Sequence, residues 1–147
     1  MIDWRGHGRK HIFRDYVSLE IDLRLSVLEC FTRQPHFNHW FAAESAFAVI
    51  EAEISPTATA ALKNSSFASK GEADLWEKLY RAIGRIRQSA MEITGRNRGS
   101  EYAMSLFICA TEEMATQQDP KQLVVLMALS LALARDWSPI ATFPTTQ

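Results

Sequence analysis

Cysteine is scarce in this chain. Cys30 and Cys109 are its only two, each in an apolar stretch at helical spacing. That is too few for a disulfide framework, and they are too far apart in sequence for a Cys-x-x-Cys centre; the count allows one bridge between them, which nothing in the sequence supports. The simplest expectation is two buried free thiols in a reducing compartment. Cys109 has no basic neighbour in sequence, and Arg33 is the nearest to Cys30, so neither has an evident thiolate-stabilising group. Long hydrophobic runs are also missing. The longest nearly unbroken one, Leu123 to Ala134, is 12 residues interrupted by Ser130, which is too short to span a bilayer. No apolar region follows Met1-Ile2-Asp3-Trp4-Arg5, so a signal peptide is not visible. A cytoplasmic protein is the expectation. Nor is there an excess of charge of one sign: a net charge of −1 gives no global pull toward nucleic acid or anionic membrane.

What is present is helical periodicity. A hydrophobic share of 47% with 22% charged residues is ordinary for a globular chain of this length, which can bury a real core. Between Ser69 and Gly95 both ends of a helix are written. Ser69 and Glu72 have capping-box spacing, and Gly95 stands where a left-handed cap would go. Trp76, Leu79, Ile83, Ile86, Ala90 and Ile93 form an apolar seam between them. After Pro35, Trp40, Ala43, Phe47, Ile50 and Ile54 repeat that spacing. Ser55-Pro56 opens a short helix over 56–62. Ser100 can cap a helix running to about Thr116, with Tyr102, Leu106, Phe107, Ala110 and Met114 inward. Asp119-Pro120 starts a last helix ending near Asp136, with Gln122 at box-like spacing, and its apolar run predicts a central core helix. The 36-residue spacing of Trp4, Trp40 and Trp76 does not continue at Glu112 and marks no repeat.

One segment is ambiguous. Val17, Leu19, Ile21, Leu23, Leu25 and Val27 alternate with polar residues, which is a strand signal. No second segment offers itself as a partner strand, and a lone strand leaves its ladder unsatisfied. Helix is favoured. It puts Tyr16, Leu19, Leu23, Val27 and Cys30 on one face, with Val17, Ile21, Leu25 and Leu28 beside them. Glu20 and Arg24 then form an i, i+4 pair. The expected architecture is an all-α, single-domain bundle over residues 15–137, of five main helices and one short one. A basic arm (1–14) precedes it and an irregular tail (138–147) follows.

No cofactor-binding or catalytic motif stands out. Gly6 and Gly8 begin a dinucleotide-type pattern, but His11 occupies the third glycine position and no strand precedes it. There is no Gly-x-Ser-x-Gly and no phosphate-binding loop. Three sets of residues remain. Phe37, Trp40 and Phe41 are too dense for all to turn inward, so with Glu44 and Glu51 they suggest a partner-binding surface. Arg5, Arg9, Lys10 and Arg14 on the arm, with Arg81, Arg85, Arg96 and Arg98, could hold phosphates. A solvated helix face explains Arg81 and Arg85 equally well, and a net-neutral domain lacks the usual nucleic-acid footprint. His7 and His11 (i, i+4) and His36 and His39 (i, i+3), with Glu44, have spacings a metal site can use, but two-ligand spacings are unspecific. The expectation is a non-catalytic protein–protein interaction module without a cofactor, self-associating or held by a partner, of adaptor, regulator or immunity-inhibitor type. A nucleic-acid-binding regulator and a His/Glu metal-dependent enzyme are its rivals.

Overall fold

The computed structural model describes residues 13–31, 37–47, 70–94 and 99–136. Among them are five helices and no strand: α1 (Arg14–Leu28), α2 (Phe37–Phe47), α3 (Lys70–Thr94), α4 (Gly99–Thr116) and α5 (Pro120–Asp136). The chain is all-α. The alternating segment is helical throughout, so residues 17–27 are not a lone strand. The expected short helix over 56–62, the Ser69 and Gly95 caps, the tail and residues 1–12 of the arm lie outside the described residues; of the arm, Phe13 and Arg14 are described, and Arg14 is already the first residue of α1.

α1 packs against α3, α4 and α5; α5 also packs against α2 and α4. No side chain caps the start of α1. Instead Phe13 is fully buried, with its ring edge-on to Tyr102 at 5.3 Å, so packing does what a cap otherwise does. Between α4 and α5 the clasp is Gln117. Its side-chain oxygen accepts from the Gln118 and Asp119 N–H groups at 2.9 and 3.0 Å, and its amide donates to Gln122. Asp119 caps α5 through the Lys121 N–H at 2.9 Å. Gln122 therefore clasps the connection rather than completing a capping box.

Two apolar clusters form the core. One gathers Leu28, Trp40, Ala43, Trp76, Leu79, Tyr80, Ile83, Val125 and Ala128. Trp40 and Trp76 meet edge-to-face at 4.3 Å, Tyr80 stacks on Trp76 at 5.4 Å, and Phe31 leans on both tryptophans. The other gathers Phe13, Val17, Ile21, Ala90, Tyr102, Leu106, Ala110, Leu126, Leu129 and Leu133, with Ala103 at its edge. Leu28 and Trp76 share the first cluster, Val17 and Ala90 the second. α1 and α3 therefore run in opposite directions.

Three expected details are corrected. The α3 seam is covered as far as Ala90, leaving Ile86 half-buried and Ile93 68% exposed. Cys30 is exposed, because it sits in the turn after α1; Cys109 is half-buried, and both are free. Burial, helped by Glu112 and opposed by Arg14, raises the Cys109 thiol above its ordinary value, so it is no activated nucleophile. Finally, α1 turns inward Val17, Glu20, Ile21, Arg24 and Leu28, while Leu19 is half exposed. Two of the five residues facing the core are charged.

Candidate functional site

Those two charges open a network that crosses the bundle. Glu20, Arg24 and Glu44 are essentially inaccessible to solvent and Arg87 is nearly so. Arg24 grips Glu44 with two bonds, Nε to Oε1 at 2.9 Å and Nη2 to Oε2 at 3.1 Å. Its remaining nitrogen, Nη1, donates to Glu20 Oε1 at 2.8 Å and to the Glu20 carbonyl at 3.2 Å. Arg87 reaches Glu20 from α3, Nη2 to Oε1 at 2.6 Å and Nε to Oε2 at 3.2 Å. The Tyr102 hydroxyl of α4 donates to Glu20 Oε2 at 2.7 Å. The Glu20 carboxylate thus accepts four side-chain donors from three helices, and α2 joins through Glu44. Two carboxylates face two guanidiniums, so the buried charge sums to zero.

The electrostatics follow from that geometry. Burial alone would raise the Glu20 carboxyl. The charges of Arg87 and Arg24, with hydrogen bonds from Arg87 and Tyr102, outweigh it and lower the group from 4.5 to about 2. Burial disfavours the Arg24 cation, but Glu44 and Glu20 hold it charged well above its ordinary range. Burial, then the charge of Glu20 and the bond to it, keep Tyr102 protonated. Burial and the charge of Glu44 do the same for Tyr80. Every one of these groups is fixed in one protonation state near neutral pH, and all are out of reach of solvent. Such a network fixes how helices mate; it offers a substrate nothing to touch.

The outer surface carries the second feature. Along α5, Pro120, Leu123, Met127, Leu131 and Ala134 fall on one outward stripe. Met127 is 47% and Leu131 49% exposed; Pro120 is exposed, Leu123 and Ala134 are half-buried, and Val124 beside them packs against the aromatic cluster. The one polar residue between Gln122 and Arg135 is Ser130, and it faces inward, where its hydroxyl finds no hydrogen-bond partner among the described residues. The expected central helix is therefore a helix with one apolar side open. Other helices expose a single large apolar residue among polar ones. α1 presents Leu19 with Asp15, Ser18, Asp22 and Ser26, α3 presents Ile93 with Asp74, Lys78, Arg81, Arg85, Gln88 and Glu92, and α4 presents Met104 with Ser100, Glu101 and Glu112.

The sequence-derived candidates separate accordingly. In the aromatic set, Trp40 and Glu44 are corrected from surface to interior. Trp40 is fully buried against Trp76, and Glu44 is engaged by Arg24. Phe37 and Phe41 are half-buried, stacked on each other at 5.9 Å and packed against the aromatic cluster. Glu51 lies outside the described residues. In the basic set, Arg14, Arg81 and Arg85 are exposed. Arg81 is paired with Glu77 at 2.7 Å. Arg5, Arg9, Lys10, Arg96 and Arg98 lie outside the described residues. So do His7, His11, His36 and the side chain of His39. Glu44 cannot serve as the carboxylate ligand of a metal site while Arg24 holds both of its oxygens. Among the described residues no group of three or more His, Cys, Asp or Glu is placed to hold a metal ion.

Sequence reasoning missed the ionic network because it sorted faces by apolarity. The signal was nonetheless present. Trp76, Tyr80, Ile83, Arg87 and Ala90 are spaced 4, 3, 4, 3, so Arg87 stands on the seam. Glu20 and Arg24 interrupt the inward face of α1 in the same way.

No known protein family, curated protein or solved structure matches the chain. Among the described residues no helix is long and apolar enough to cross a membrane.

Proposed function

We propose that this protein is a non-catalytic helical interaction module that docks a protein partner on the outer stripe of α5. One observation carries this reading: α5 turns Met127 and Leu131 to solvent and its lone mid-helix polar residue, Ser130, to the core. A surface helix ordinarily does the reverse. Contiguous exposed apolar side chains are a mark of association surfaces, where methionine is enriched. The charged groups of the interior support the same reading. Glu20, Arg24, Glu44 and Arg87 satisfy one another and leave no free acid, base or nucleophile among them.

The test is a comparison of the wild type with Met127→Glu/Leu131→Glu, both tagged and recovered from the cells that make the protein. Both positions are half exposed, so the double variant is expected to keep its helical circular dichroism and melting temperature. It is expected to lose a stoichiometric protein that the wild type retains. Equal retention by both proteins, or a wild type that retains no protein, sinks the reading.

A further inference from the structure

We infer that the α5 stripe receives an amphipathic helix of a different protein, one whose apolar face is bordered by acidic residues about four turns apart. This rests on the interaction-module reading above and specifies the partner. The observation that selects the occupant is charge. Lys121 and Arg135 are both exposed, and neither forms an ion pair among the described residues. They are 14 residues apart, close to four helical turns, so they lie along the same flank of α5, separated by about 21 Å. Between them the outward surface is the apolar stripe. The nearby carboxylate of Asp119 accepts the Lys121 backbone N–H as the helix cap.

The same charges argue against a second copy docked antiparallel. Two-fold pairing through this stripe with antiparallel helices sets Lys121 against Arg135, bringing cation to cation at each end of an apolar contact, which disfavours association. Parallel two-fold pairing carries the cation-bearing flanks of the two copies to opposite edges of the contact, so the cations of one copy do not meet those of the other. A foreign helix with Asp or Glu at both ends of its apolar run meets the stripe and both cations at once. Burying the stripe supplies the attraction, and the end charges set register and direction.

The experiment places the photoreactive residue benzoylphenylalanine at Met127, with a second protein carrying it at Phe41 on α2. Cross-linking is done in the cells that make the protein, and the captured peptide is sequenced by mass spectrometry. The expected product at 127 is a segment of another protein with helical apolar spacing and acidic residues near both ends. Adding Lys121→Glu and Arg135→Glu is expected to lower its yield about fivefold to tenfold, as two rim ion pairs become repulsions, with circular dichroism unchanged. Capture at 127 of a basic or uncharged protein segment overturns the acidic-helix assignment while leaving the interaction module standing. Capture of a foreign protein at Phe41 alone overturns the assignment and the α5 docking surface together. Capture of this same chain, or of lipid, at 127 overturns the assignment in favour of self-association or a membrane surface. Absence of a cross-link at both positions overturns the assignment and the interaction module together.

Discussion

The two regions that hold α1 to α3 work by opposite physics. At one end Trp40, Trp76, Tyr80 and Phe31 pack ring against ring. About one turn along α1 from Leu28, Arg24, and a turn further Glu20, begin a layer of buried charge that reaches α2, α3 and α4. The aromatic end gains free energy from area removed from water, and many neighbouring arrangements of rings would gain nearly as much. The ionic layer gains little, because desolvating four charges cancels most of their attraction. What it supplies is exclusion. A helix that slides or rotates relative to its neighbours leaves a buried charge without its partner.

The sharpest way to break that contrast is to remove the hub. Glu20→Ala takes two acceptor bonds from Arg87 and one from Arg24, and leaves two buried guanidiniums facing one carboxylate. The expected loss is about 3–5 kcal/mol, or failure to fold. Trp76→Ala at the aromatic end is expected to cost a similar amount by a different route, the cavity it leaves. Urea denaturation of both distinguishes them: glutamine at 20 should restore little, whereas phenylalanine at 76 should restore much. A Glu20→Ala protein with the wild-type midpoint contradicts the hub role.

Acid separates the regions without mutation. The Glu20 carboxyl is held at about 2 against an ordinary 4.5. Its folded value is depressed, so its contribution is fully present above 4.5 and is lost as pH falls from 4.5 through 2. The loss is about 3 kcal/mol when complete. The aromatic rings carry no titration in that window. Urea midpoints measured from pH 5 to 2 should fall, and tryptophan fluorescence should report the aromatic end opening in the same transition. A flat profile across that range contradicts the pairing of Glu20.

A smaller effect belongs to Tyr102. Tyr102→Phe removes one of four donors to Glu20 and keeps the ring against Phe13. A hydrogen bond to a charged group contributes about 1.5–3 kcal/mol. The variant should therefore lose about 2 kcal/mol by denaturation, less than either hub truncation. It should also make the acid transition begin at higher pH, since the lost bond is one of the groups that lower Glu20. A loss without that shift would mean that the hydroxyl supports packing rather than the carboxylate.

The difference between the regions also explains what could be read in the sequence. Apolar spacing exposes helices, and it gave α3, α4 and α5 nearly to the residue: Lys70–Thr94, Gly99–Thr116 and Pro120–Asp136. It resolved α1 less well, because alternation there served two periods at once. Spacing could not give the inward face of α1, where Glu20 and Arg24 replace the apolar residues that define a face. It also could not show that α5, apolar on every side, is left open along one. The first requires knowing that charges on three helices balance, and the second requires knowing which helices are neighbours. Both are facts of assembly, and they become visible only when helices distant in sequence are placed together.

The smallest expected loss comes from the largest substitution. Glu20→Leu, Arg24→Met, Glu44→Leu and Arg87→Met together replace the ionic layer with apolar side chains of similar volume. Replacements of this kind are often neutral, and some stabilise by about 1–4 kcal/mol. The quadruple variant should therefore denature no earlier than the wild type, although Glu20→Ala alone is among the most damaging changes. Stability would then be regained without exclusion. The discriminating measurement is the cooperativity of unfolding and the dispersion of side-chain resonances. Broad resonances with retained helix content would show that the charges select one mating of α1, α2, α3 and α4 from several of similar energy. Sharp resonances and an unchanged transition would show that ring packing at the aromatic end, together with the apolar cluster around Leu106, selects it alone, and the ionic layer would then be dispensable to this fold.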